Sequence, residues 1–198
     1  MPRPARPPAG AATLQKTVTD AITRAVFREL AKNGYARLSM EAVARRANVG
    51  KAALYRRWPS KQDMVVALLS EVGIEIASAP DTGTLAGDLR GYFGHAERIL
   101  RHPLTSRIIP DLYAEMNRNS GLAAAIRAQM QNPKRRKGEE ILIRAMSRGE
   151  IKDNIDREMA LDVMAGPLYW RLMITREPGD PGYLDRLTSM TLAALTSL

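Results

Sequence analysis

Apolar residues recur along this chain at intervals of three and four, the spacing of amphipathic helices. Leu14, Val18, Ile22, Val26 and Leu30 form one stripe, which predicts a helix over residues 14–33, capped by Thr13 and stopped by Gly34. A shorter pattern of Val43, Ala44 and Ala47 follows Ser39, an N-cap residue type, and ends at the corner Asn48-Val49-Gly50. The next helix places Leu54 and Trp58 one turn apart on its inner face, and Ser60 with Asp63 opens another that runs to about residue 78. The segment APDTG at 79–83 interrupts the pattern. Beyond it the spacing predicts helices over 85–101, 104–117, 121–148 behind a Ser120 cap, 157–175 and 183–197. Pro110 and Pro133 fall inside two of these, so a kink or local break is expected at each, and Gly149 ends the long one.

The fold class that follows is all-α. The expected organisation is a basic tail at 1–12, a three-helix head at 13–61, a linking helix at 62–79 and a second helical domain at 80–198. Within the head, residues 40–58 have the layout of a helix-turn-helix. The second helix of that pair turns Ala52, Ala53, Tyr55 and Arg56 outward, with Lys51 at its start and Arg57 on its flank. Small residues allow close approach to a DNA major groove, long donors reach base edges, and N–H or O–H groups clamp phosphate. The candidate DNA contacts are therefore Met40 and Arg45 on the first helix of the pair and Lys51, Ala52, Ala53, Tyr55, Arg56 and Arg57 on the second, with Lys61 beyond them.

The run ANVGKAALYRRWPSK carries a Leu-Tyr pair, an aromatic residue four positions after the Leu, and then Pro-Ser-Lys opening the next helix. This combination resembles the DNA-binding domain of the tetracycline-repressor (TetR) family, most sharply over residues 13–70. The resemblance implies that the start of the linking helix lies over a phosphate, with Lys61 at that position. The phrase AGPLYWRLMITREP at 165–178 is similar to the penultimate helix of such repressors, whose last two helices pair with a second subunit as a four-helix bundle. It also implies a pocket for a regulatory small molecule between the linker and the pairing helices.

Charge sharpens the picture. Residues 1–61 hold 13 Lys and Arg against 3 acids, a net of +10, while the remainder holds 17 against 18, a net of −1. A basic excess confined to the helix-turn-helix segment is the footprint of a phosphate backbone. Arg3 and Arg6 in the Pro-rich tail suit either a minor-groove arm or a solvated tail. Arg45 and Arg46 read equally as phosphate contacts or as solvated side chains, while the run at 134–137, flanked by Glu139 and Glu140, reads as an exposed helix face rather than a second nucleic-acid site.

The predicted helices at 157–175 and 183–197 carry apolar residues on more than one side, which leaves a face for a partner and predicts a twofold homodimer. Gly166-Pro167 is expected to bend the first of them. Candidate lining residues for the pocket are Phe93, His95, Ile99, Leu112, Tyr113 and Met116, together with Met130, Met146 and Trp170, apolar walls with a few polar tips. With no buried charge identifiable, an apolar or weakly polar effector is expected.

Other functions find less support. The chain has no cysteine, its histidines are His95 and His102, and no HExxH, Gly-rich phosphate loop or nucleophile elbow occurs, so neither an enzyme, a metal nor a cofactor is expected. The apolar runs fall short of the roughly 18 residues a membrane span needs, the N-terminus has no secretory apolar region, and a cytoplasmic protein is expected. The function expected is a ligand-responsive dimeric repressor binding palindromic double-stranded DNA and released by a small-molecule effector. The alternative is a helical adaptor with a basic head and no sequence-specific DNA binding.

Overall fold

A computed structural model describes residues 9–75, 80–177 and 180–197, all in helices and turns without a strand among them. The helices are α1 (Ala9–Arg37), α2 (Met40–Ala47), α3 (Lys51–Arg57), α4 (Lys61–Glu75), α5 (Leu85–Arg101), α6 (Thr105–Met116), α7 (Ser120–Ile126), α8 (Asn132–Ser147), α9 (Arg157–Tyr169) and α10 (Tyr183–Ser197). They form two compact units, Met1–Leu68 and Leu69–Leu198, so the division falls inside α4.

In the first unit, α1 already runs at Ala9, ahead of the Thr13 expected to cap it, so residues 9–12 belong to the helix rather than to a tail. The tail arginines Arg3 and Arg6 lie outside the described residues. Gly34, at φ 73°, breaks the helix where expected. Ile22, Val26 and Leu30 are buried together with Tyr35, Leu38, Val43, Leu54 and Trp58, whereas Val18 of the predicted stripe is 38% exposed. Ser39 accepts the Ala42 amide at 3.1 Å and starts α2. At the corner it is Asn48, φ 54°, that takes the left-handed conformation, while Gly50 stays at φ −65°. Ser60 accepts the Asp63 amide at 3.1 Å and donates to its carboxylate at 2.7 Å, the reciprocal start expected for α4.

The second unit packs around Leu85, Leu89 and Phe93 of α5, Ile141, Leu142 and Ala145 of α8, Leu161, Met164 and Leu168 of α9, and Leu184, Leu187 and Leu195 of α10. Asp88, fully buried, receives Thr82 N–H at 2.6 Å, Thr82 Oγ1 at 2.9 Å and Arg148 Nη2 at 3.2 Å, which ties the 80–84 turn and the end of α8 onto α5.

The long helix expected over 121–148 is two helices joined by a π-helical turn, Arg127–Gln131. Asn119, not Ser120, caps α7 by accepting the Leu122 amide at 2.9 Å. Pro133 explains the break, because it has no N–H for the carbonyl of Gln129 four residues earlier. That carbonyl accepts instead from the Ser70 hydroxyl of α4 at 3.1 Å, and the Asn132 amide reaches back five residues to Arg127. A second π-helical turn, Trp170–Ile174, follows α9 three residues after Pro167.

Helices α8 and α9 approach closely at Gly138, where an added Cβ would lie 2.6 Å from Leu161 Cδ2. Gly138→Val therefore overpacks a buried contact and should lower unfolding stability by about 1–3 kcal/mol in a denaturant titration. Unchanged stability would show that the two helices separate freely there.

Candidate functional site

The recognition surface of the head is assembled from α2 and α3. Ala52 and Ala53 are exposed beside Lys51, Tyr55 is 38% exposed, and Arg56 and Arg57 follow on the open side. Leu54 and Trp58 point the other way, at 1% and 6% exposure, and so fix which face of α3 is free. Met40, expected as a DNA contact, is 4% exposed and belongs to the interior of the head, because the first residue of α2 turns its side chain toward the core.

The cations are not equally available. Lys51 Nζ lies 2.6 Å from Glu41 Oε1, and the Tyr55 hydroxyl is 3.5 Å from the same oxygen. The hydrogen bond from Lys51 holds the Glu41 carboxyl below its usual range, and the same bond raises Lys51. Arg57 donates to Thr19 Oγ1 at 2.7 Å and stacks on Trp58 at 4.6 Å. Lys61 donates to the carbonyls of Tyr35 and Ala36, both at 3.1 Å, and sits over the Tyr35 ring, so it closes the frayed end of α1 rather than standing free. Arg46, near Arg45 in sequence, is drawn to the buried Glu29 at 2.6 Å. Arg45 and Arg56 are exposed, without a partner among the described residues. Glu41 was missed by sequence reasoning, since an acid in the first turn of a helix is ordinary dipole compensation.

The second unit contains a cavity of about 590 Å³ between α5, α6, the α7–α8 rod and α9. Of the expected lining residues, Phe93, His95, Ile99, Tyr113 and Met116 border it. The other four do not. Leu112 and Met130 are 1% and 8% exposed and fill the core, Met146 packs against the central cluster, and Trp170 is 61% exposed on the outside. Sequence reasoning missed the cavity side of α9, including Met164, Leu168 and Tyr169, and the polar set Asn117, Arg127, Gln131 and Lys134. The signal was there in part, because 127, 131 and 134 keep helical spacing on one face.

Electrostatics divide the cavity. Burial, and the ring of Tyr113 at 5.5 Å, push the Tyr169 hydroxyl up to about 12. Burial lowers His95, helped by the nearby Arg98 guanidinium, so the imidazole is neutral at pH 7. Arg98 Nη2 is 3.4 Å from His95 Nδ1, and since arginine only donates, the ring proton belongs on Nε2, which is buried and has no partner. Lys134 is exposed, and the protein around its ammonium lowers its pKa by desolvation.

Outside the cavity, Met159 and Trp170 are exposed on α9 and the turn after it, with Ile174, and Met190 is 71% exposed on α10. Among the described residues no group of acids and histidines could hold a metal, and no helix is long and apolar enough to cross a membrane.

A helix-turn-helix head with a cationic free face, followed by an all-helical unit with a ligand-sized cavity, defines a DNA-binding regulator. Residues 22–68 match the bacterial regulatory proteins of the tetR family, and residues 79–191 match the tetracyclin repressor-like C-terminal domain. The DNA-binding transcriptional repressor TetR of Mycobacteroides abscessus is 31% identical over 91% of this chain and 94% of its own length. The transcriptional regulator YdeS of Bacillus subtilis is 28% identical over 84% of each chain. Among solved structures, the TetR family transcription regulator SCO0332 superposes with a TM-score of 0.71 at 28% identity, covering 89% of this chain and 97% of its own. The chain belongs to the TetR family. It is a ligand-responsive helix-turn-helix transcriptional regulator, and its relatives are transcription regulators rather than enzymes.

With Lys51 as a proposed DNA contact, Glu41 competes with DNA for its ammonium. Glu41→Gln should tighten binding to a DNA site by roughly two- to tenfold at low ionic strength, with the gain shrinking as salt screens the charge. A fluorescence-anisotropy titration reads this directly, and an unchanged affinity would mean that Lys51 is not recruited by DNA.

Proposed function

We propose that the chain acts as a homodimeric repressor whose two α3 helices enter successive major grooves of a palindromic site. Lys51, Ala52 and Ala53 lie against base edges, while Tyr55, Arg56, Arg57 and Arg45 hold phosphate and Lys61 adds a fixed charge at the flank. The observation that carries this reading is the free face of α3, small at its start and cationic beyond, held outward by the buried Leu54 and Trp58. The second subunit packs against α9 and α10, where Met159, Trp170, Ile174 and Met190 leave apolar surface uncovered. A small-molecule effector in the α5–α9 cavity favours a subunit arrangement whose recognition helices no longer match the half-site spacing, and DNA is released by a population shift. Among solved structures of the same fold, FadR from Bacillus subtilis is in complex with stearoyl-CoA, at 18% identity and a TM-score of 0.70, in keeping with a small-molecule effector.

Selection of bound fragments from genomic DNA, followed by mobility shift, tests the reading. A palindromic sequence is expected to emerge, and uniform binding of all fragments would favour a basic adaptor. Arg56→Ala and Arg57→Ala should each weaken binding to all sequences alike and reduce the salt slope by about 1, whereas Lys51→Ala should relax preference at one base position. Trp170→Glu with Met190→Glu should convert a dimer at micromolar concentration into monomer in sedimentation, with helicity retained. A monomeric mass for the unsubstituted chain would remove the dimer.

A further inference from the structure

The cavity has two unlike sides. Tyr92, Phe93, Ile99, Met116 and Leu168 make an aromatic and aliphatic wall from α5, α6 and α9. Opposite, the α7–α8 rod presents Arg127, Gln131, Lys134 and Lys137 at intervals of four and three residues. Two charges on the lining are already satisfied. Lys137 Nζ is 3.1 Å from Glu140, and Asp162 is held by Arg135 at 2.8 Å. Arg127 and Lys134 have neither an acidic partner nor a hydrogen bond among the described residues. The cavity therefore faces its occupant with uncompensated positive charge on one side and apolar surface on the other.

An unpaired cation beside an apolar wall rewards one class of ligand. The apolar body gains from burial, and an anionic head gains a charge-assisted hydrogen bond that a hydroxyl makes only weakly. We infer that the cavity takes an amphipathic organic anion, its apolar or aromatic body against α5, α6 and α9 and its carboxylate or phosphate on Lys134 and Arg127. The assignment rests on the reading of this cavity as the effector site. The lowered pKa of Lys134 fits it, because an ammonium short of solvation gains most from a counter-charge. The His95 Nε2 proton, sealed in the wall, is not a contact for the head group as the structure stands.

The test is isothermal titration of the full chain with octanoate, octyl phosphate and naphthoate against octanol and naphthol. The anions are expected to bind at least about tenfold tighter than the matching neutral compounds. Lys134→Met should narrow that margin and Lys134→Met with Arg127→Met should remove it, whereas Lys134→Arg should keep most of it. Tighter binding of octyl phosphate than of octanoate assigns the head to phosphate, and the reverse assigns it to carboxylate. Equal affinity for acid and alcohol, an acid affinity unmoved by Lys134→Met, or no binding by any of the anions overturns the inference. A mobility shift on the selected DNA separates the two readings. An anion that binds but leaves the DNA complex intact refutes the cavity as an effector site and not its anion preference, whereas a neutral compound that binds equally well and releases DNA does the opposite.

Discussion

Pro133 cannot donate a backbone hydrogen bond, and much of the second unit follows from how that missing bond is absorbed. A helix running unbroken through residues 121–148 would bury a ring clash against the Gln129 carbonyl and leave that carbonyl unpaired. The chain instead widens into the Arg127–Gln131 turn, and Ser70 supplies the donor that Pro133 lacks. A π-helical turn advances each residue by a smaller angle than an α-helix does, so it rotates everything after it relative to everything before. Arg127 and Gln131 lie on the widened turn, and Lys134 and Lys137 come after it, yet all four border the same cavity. The break thus governs which cations the rod offers inward, and the apolar wall opposite is set by ordinary core packing.

The head obeys a different economy, in which four of its cations already have a partner. Lys51 is held by Glu41, Arg57 by Thr19 and Trp58, Lys61 by two carbonyls and Tyr35, and Arg46 by Glu29. These are not equivalent. The Arg46–Glu29 contact has a carboxylate at 7% side-chain exposure, so breaking it strands a buried charge. The Glu41–Lys51 contact has both side chains about half exposed, and exposed pairs contribute little to stability. Duplex DNA brings a dense row of phosphates that the exposed pair meets on nearly equal terms. Burial therefore sorts the basic residues into those that build the head and those it can give to a ligand.

The sequence announced the head far better than the cavity. Local rules settle a helix-turn-helix: Ser39 caps, Leu54 and Trp58 face inward, and Ser60 with Asp63 starts the next helix, each readable within four residues. Even there, the left-handed corner went to Asn48 rather than to a glycine, and Met40 turned inward because a single residue's direction depends on which side α1 covers. The cavity depends on four elements far apart in the chain. Phe93, His95 and Tyr113 were accessible to pattern reading because aromatic and polar tips on a core helix are conspicuous, whereas Trp170 has the same character and lies on the outside. The 134–137 run looked like a solvated face since nothing local says that Lys134 meets a space rather than bulk water.

Magnitudes also constrain how the cavity can speak to the head. Allosteric coupling free energies are typically about 1–3 kcal/mol, and one intramolecular hydrogen bond has a net worth of about 0.5–1.5 kcal/mol. A switch of the usual strength therefore needs no large rearrangement, only one or two bonds that exist in one state and not in the other. The Ser70–Gln129 bond is of that size and, within the second unit, joins the later part of α4 to the turn that carries Arg127 and Gln131 on the cavity wall. Pro133 offers Gln129 no amide donor, and the Ser70 hydroxyl donates to that carbonyl.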